Sequence, residues 1–131
     1  MNVYEWRPSV FVVDDNAVVR KSIAKRLVKE AFLVQTFESG EKVLDALHHE
    51  HPDAVLLDFK MPGLNGEETL AEMRKRGLTV PVVILTAYSD VMDVSKSQYQ
   101  GVVSLVTKSL ELEDVVSVAK EAITNRRSLT F

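Results

Sequence analysis

Apolar and β-branched residues gather in five short runs, Ser9 to Val13, Leu33 to Phe37, Ala54 to Leu57, Pro81 to Thr86 and Val102 to Thr107, and each reads as a strand. Their starts lie 24, 21, 27 and 21 residues apart, which leaves room for one helix in every gap. The intervening segments carry helical rather than alternating spacing. Val19, Ile23 and Leu27 recur every four residues in the first, and Leu112, Val115, Ala119 and Ala122 mark one stripe of the last. Capping residues stand where these helices should begin: Asn16, Ser39 before Gly40, Asn65 before Gly66, and Ser109 or Leu110 before Glu111. Strand then helix, five times over, predicts an α/β domain with a parallel sheet. Val10 to Val13, Val55 to Leu57 and Val82 to Leu85 are apolar without alternation, as strands are when helices cover both faces of a sheet.

Right-handed crossovers then give a doubly wound, flavodoxin-like three-layer sandwich: five strands in the order 2-1-3-4-5, flanked by five helices. No linker or repeat divides the 131 residues, so residues 1–131 are expected to form one domain with its core at about 9–125 and short flanks at 1–8 and 127–131. A hydrophobic content of 46% is enough for such a core without cross-links. Cysteine is absent, which excludes disulfides, zinc-thiolate sites and thiol chemistry. Met1 to Pro8 has no apolar signal-like core and the apolar runs are too short to span a bilayer, so a cytoplasmic protein without a membrane partner is expected. The net charge of −3 has the wrong sign for binding nucleic acid through its phosphates.

In open α/β sheets ligands bind beyond the carboxyl ends of the strands. Here those ends are polar: Asp14 and Asp15 after the first strand, Asp58 after the third, Thr86 at the fourth and Lys108 after the fifth. Singly, each has an ordinary explanation as a cap, a turn former or a solvated charge. Jointly they line one rim, because strands 1, 3, 4 and 5 are neighbours in the expected order. Two carboxylates about 4 Å apart repel by about 4 kcal/mol at an effective dielectric near 20, so a cation is required. Mg²⁺ fits, since it prefers oxygen ligands and takes one or two carboxylates while keeping waters or phosphate oxygens. With its charge shielded, Asp58 can attack phosphorus as a carboxylate nucleophile, and Lys108 and the Thr86 hydroxyl can stabilise the phosphoryl oxygens.

Four segments, in order, resemble the receiver domains of two-component response regulators: Val10 to Asn16 with its paired aspartates, Leu56 to Gly66 with Met61-Pro62-Gly63 after Asp58, Leu85-Thr86-Ala87, and Thr107-Lys108. The similarity runs from about Val10 to Ile123. The resemblance implies that Asp58 is the phosphoacceptor, with Thr86 and Lys108 contacting the phosphoryl group. It further implies that Asp15, Asp58 and the main-chain carbonyl of Lys60 bind Mg²⁺ directly, and that Asp14 holds a metal-bound water. The donor would be a phosphohistidine on a sensor histidine kinase or a phosphotransfer protein. The output and dimerisation face would comprise the fourth predicted helix (Ser89 to about Gln98), the fifth strand and the fifth helix. A receiver of this kind assists its own phosphorylation and dephosphorylation without being a turnover enzyme. His48, His49 and His51 then read as a solvated helix end.

Three departures stand out. Ser109 replaces the family's usual proline after Lys108, and a cis bond there costs roughly 2.5–4 kcal/mol without proline. Leu105 occupies the position of a common aromatic residue. Tyr88 and Lys60 are bulky groups near the entrance, and two readings stand side by side: they slow the access of water, or they are simply exposed. Two rivals remain. A dehalogenase-type phosphatase would need Asp-x-Asp after its first strand, whereas this chain has Asp14-Asp15 there. A receiver-like interaction module that is never phosphorylated would be compatible with Ser109 and Leu105.

Overall fold

The computed structural model describes residues 6–87, 102–107 and 112–128. Strands β1 (Ser9–Val13), β2 (Leu33–Phe37), β3 (Ala54–Asp58), β4 (Val82–Thr86) and β5 (Val102–Thr107) form a single parallel sheet. Its order is β2-β1-β3-β4-β5, as the crossover argument requires. Four helices lie among the described residues, α1 (Ala17–Lys29), α2 (Gly40–Ala46), α3 (Gly66–Lys75) and α4 (Leu112–Ser128). The further helix expected between Ser89 and Gln98 lies outside them, as does the cap expected at Ser109 or Leu110. No helix of the described residues is long and apolar enough to cross a membrane.

Strand alternation sorts the core into two layers. Val10, Val12, Leu56, Val83 and Leu85 meet Ile23 and Leu27 of α1 and Val115, Ala119 and Ile123 of α4. Phe11, Val13, Val55, Leu57 and Ile84 point the other way, against Val43 and Leu44 of α2 and Leu70 and Met73 of α3. Strands β3 and β4 therefore bury every side chain, which is why their sequences show no alternation. At the edge, β2 is mostly exposed, with Leu33 at 52%.

Local chemistry sets the element ends. Asn16 Oδ1 accepts from the Val19 amide, and Ser39 Oγ accepts from the Lys42 amide. Asn65 and Glu68 form a reciprocal capping box at the start of α3. Two strand limits differ from the sequence reading. Strand β3 extends to Asp58, because Asp58 pairs with Leu85 and the Phe59 amide donates to the Leu85 carbonyl at 2.8 Å. Pro81 falls outside β4, having no N–H for the ladder, yet its carbonyl still accepts from the Val55 amide at 2.9 Å.

Candidate functional site

The carboxyl ends of the two central strands carry the acidic residues. Asp14 follows β1 directly; its amide donates to the Phe37 carbonyl and its Oδ1 accepts from the Asn16 amide at 2.9 Å. That turn fixes the carboxylate before α1 begins. Asp58 is the last residue of β3 and is held in the ladder. One carboxylate oxygen from each of Asp14, Asp15 and Asp58 lies within 4.8 Å of the others. Asp14 and Asp58 are buried, at 0% and 2% exposure, while Asp15 faces solvent.

At the adjacent strand end, Thr86 is fully buried and its hydroxyl donates to the Ala87 carbonyl at 3.2 Å. Thr86 pairs with Thr107, the last residue of β5. Lys108, next in the chain, lies outside the described residues, and so do Tyr88 and Ser109. Lys60 is exposed two residues beyond Asp58. Leu105 lies in β5 opposite Ile84. The three histidines are exposed at the far end of α2, where His48 Nε2 lies 3.3 Å from the Arg76 guanidinium.

The segment that leaves Asp58 is shaped by close packing. Phe59 and Met61 are buried in the α2/α3 layer, so the chain is anchored on both sides of exposed Lys60. Gly63 then turns it with φ +73°, a conformation that disfavours side chains. Gly66 opens α3 directly on the strand: its amide donates to the Phe59 carbonyl at 2.8 Å, and a Cβ there would lie 2.2 Å from the Asp58 carbonyl oxygen. Glycine at this position is what lets α3 start against the backbone of Asp58.

Two flanking contacts carry no motif signal in the sequence. Arg20 donates from its guanidinium to the Asp14 main-chain carbonyl at 2.7 Å, placing a positive charge beside the acidic turn. Glu41, on the first turn of α2, accepts from the Leu64 amide at 2.7 Å. That amide, with Glu41's own backbone N–H and Ser39, holds the Glu41 carboxyl below its ordinary range. The neighbouring Glu38 is lowered by its hydrogen bond and charge pairing with Lys42. Spacing alone could have placed Arg20 one turn past the Asn16 cap, but nothing in the sequence indicates that Glu41 meets a loop 23 residues away.

A concavity of about 360 Å³, lined by Leu47, Pro52, Leu78 and their neighbours, opens at the amino ends of β3 and β4, opposite the carboxylates. Ligands of open α/β sheets bind beyond the carboxyl ends of the strands, so the acidic cluster rather than this cavity is the functional candidate. The cluster's donors are all hard oxygens, two of them buried, and that set fits a small divalent cation. A doubly wound sheet with such a cluster at its switch point defines a protein that handles a cation and an anionic group at the strand ends.

Comparison with known proteins narrows this class. Residues 10–120 match the family model described as the response regulator receiver domain. The DNA-binding transcriptional regulator NtrC of Escherichia coli K12 is 35% identical over 120 residues, which are 91% of this chain and 25% of that protein. The apo receiver domain of nitrogen regulatory protein C, solved in solution, is 32% identical with a TM-score of 0.83, covering 94% of this chain and 99% of that one. A receiver domain protein from Clostridium thermocellum is 25% identical with a TM-score of 0.85, covering 94% and 99%. The chain belongs to the response regulator receiver domain family of two-component signalling. It spans about a quarter of the length of the curated NtrC relatives it matches.

Proposed function

We propose that Asp58 accepts a phosphoryl group from a phosphohistidine on a sensor kinase or a phosphotransfer protein, and that Mg²⁺ assists. The observation that carries this reading is the meeting of Asp14, Asp15 and Asp58 at the ends of β1 and β3 in a chain of this family. A carboxylate oxygen of Asp58 forms the bond to phosphorus as the bond from phosphorus to the donor's imidazole nitrogen breaks. Because Asp58 is buried and its main chain is fixed in the ladder, little backbone ordering is left to oppose the reaction when the donor arrives. Asp15, Asp58 and the Lys60 carbonyl would hold the ion directly and Asp14 through a water. When bound, Mg²⁺ supplies positive charge that shields the carboxylates and attracts the phosphoryl oxygens. The Thr86 hydroxyl, by turning away from the Ala87 carbonyl, and Lys108 would donate to those oxygens.

The same reading takes residues 1–131 as a single receiver unit in the cytoplasm that does not turn over a substrate of its own. Its output passes through the face formed by the segment Ser89–Gln98, β5 and α4, which would also serve any homodimer. The NtrC protein named above is described as DNA-binding; with a net charge of −3, this chain is assigned no direct DNA contact.

Intact-protein mass after incubation with Mg²⁺ and acetyl phosphate tests the proposal, comparing the chain with Asp58→Asn. A labile phosphate-sized gain that needs both Mg²⁺ and Asp58 is expected. No gain in a folded parent chain would replace this reading with that of an interaction module.

A further inference from the structure

We infer that Glu41 is a positioning residue for the metal site, acting through the loop that follows the phosphoacceptor. The inference rests on the proposed role of the Lys60 carbonyl as a ligand. That carbonyl belongs to a short loop between Asp58 and the Asn65 cap of α3. Main-chain ligands cannot be adjusted by changing a rotamer; their position is the position of the loop.

The loop is fixed at its beginning and at its end. Phe59 donates its amide to Leu85 and accepts at its carbonyl from Gly66, and Asn65 is held by the capping box. Between those points Met61 is buried in the core, and beyond it the exposed turn Pro62-Gly63 is where a further restraint acts. Glu41 supplies it from a different element, its Oε1 accepting from the Leu64 amide at 2.7 Å. The fit around this contact is close. A Cβ on Gly63 would lie 2.7 Å from Glu41 Oε1, and a Cβ on Gly40 would lie 3.1 Å from the Leu64 carbonyl oxygen and 2.1 Å from Thr69 Oγ1. Gly40 and Gly63 thus let the start of α2 and the loop approach until the carboxylate can reach the amide. Glu41 also sits in the first turn of α2, where negative charge is favoured by the exposed helix amides. A carboxylate accepting from a backbone amide makes a charge-assisted hydrogen bond, stronger than a neutral one. The consequence is a loop whose carbonyl is already placed before the ion binds, so that less ordering opposes binding.

The test uses nuclear magnetic resonance on the full chain, Glu41→Gln and Glu41→Ala. One readout, in metal-free buffer, is the hydrogen-exchange rate of the Leu64 amide. The other is the Mg²⁺ dissociation constant, followed by the amide shifts of Asp58 and Phe59. Loss of a charge-assisted bond should speed Leu64 exchange about tenfold in Glu41→Ala and less in Glu41→Gln, which keeps an acceptor oxygen. The Mg²⁺ constant should rise in the same order, by about three- to tenfold for alanine, while phosphorylation at saturating Mg²⁺ keeps its parent rate. A core control, Leu27→Val, should lower stability and leave the Mg²⁺ constant alone. Faster Leu64 exchange with a Mg²⁺ constant within twofold of the parent would overturn the positioning role, as would unchanged exchange. A parent chain that shows no Mg²⁺ response would overturn the metal reading itself, and the positioning role with it; the Leu64 exchange data, which need no metal, separate that result from a failure of the clamp.

Discussion

Replacing Asp58 with asparagine should stabilise the metal-free fold. Asp14, Asp15 and Asp58 offer oxygens within 4.8 Å of one another. At that separation each charged pair repels by about 3.5 kcal/mol at an effective dielectric near 20. The isosteric substitution removes the two pairs in which Asp58 takes part. Most of the nominal relief is not realised: Asp15 is exposed and screened by solvent, cationic groups such as Arg20 already offset part of the field, and a buried amide needs its own hydrogen-bond partners. We expect a net gain of about 1–2 kcal/mol, read as an increase in melting temperature of about 4–8 °C for a domain of this size. Mg²⁺ at a hundred times its dissociation constant should then stabilise the parent by about 2.7 kcal/mol and the variant by much less. Thermal and urea unfolding, with chelator and with Mg²⁺, measure both differences. If Asp58→Asn melts lower than the parent in chelator, the carboxylates are not under mutual repulsion and no electrostatic need for a bound cation exists at this site.

Other outcomes follow from particular contacts. Gly66→Ala forces a Cβ to within 2.2 Å of the Asp58 carbonyl, so it should cost about 3 kcal/mol in urea unfolding and slow phosphorylation as α3 is pushed off the strand. Ala31 lies at φ 69° beyond α1, and Ala31→Gly should raise stability by about 1 kcal/mol, measured the same way. Thr86→Val removes a buried hydroxyl at nearly constant volume; it should slow phosphorylation by acetyl phosphate, followed by mass, while lowering stability by about 1 kcal/mol. The Glu41 carboxyl lies below its ordinary value of 4.5, chiefly through the Leu64 amide, so its stabilising effect is complete above that pH and is lost as pH falls through the lower folded value. Parent and Glu41→Gln should therefore differ in urea midpoint at pH 7 and converge in acid.

Much of this architecture is legible in the order of residues. Continuous apolar runs identify Val10–Val13 and Val82–Leu85 as strands covered on both faces, and the burial of every one of those residues agrees. The caps at Asn16, Ser39 and Asn65 can be read because a cap is a local interaction spanning three or four residues. The acidic cluster can be read because topology brings strand ends together and the aspartates stand at those ends. What escapes is contact between elements distant in sequence. Nothing local joins Glu41 to Leu64, and nothing marks Gly40 and Gly63 as the gaps that admit the contact. The limits of β3 and β4 shift by one residue for a similar reason. Asp58 is drawn into the ladder by Leu85 across the sheet, and Pro81 is left out for want of an N–H.

The ladder that holds Asp58 also determines what can yield. Strand β3 lies between β1 and β4, and the Phe59 amide just past Asp58 is tied to Leu85. In mechanical terms Asp58 stands on a stiff base, with the bulk of the sheet behind it. Charge arriving there does little to move β3. For the acceptor proposed here, that stiffness leaves the side chains at the rim, rather than the main chain of β3, to answer a change of charge.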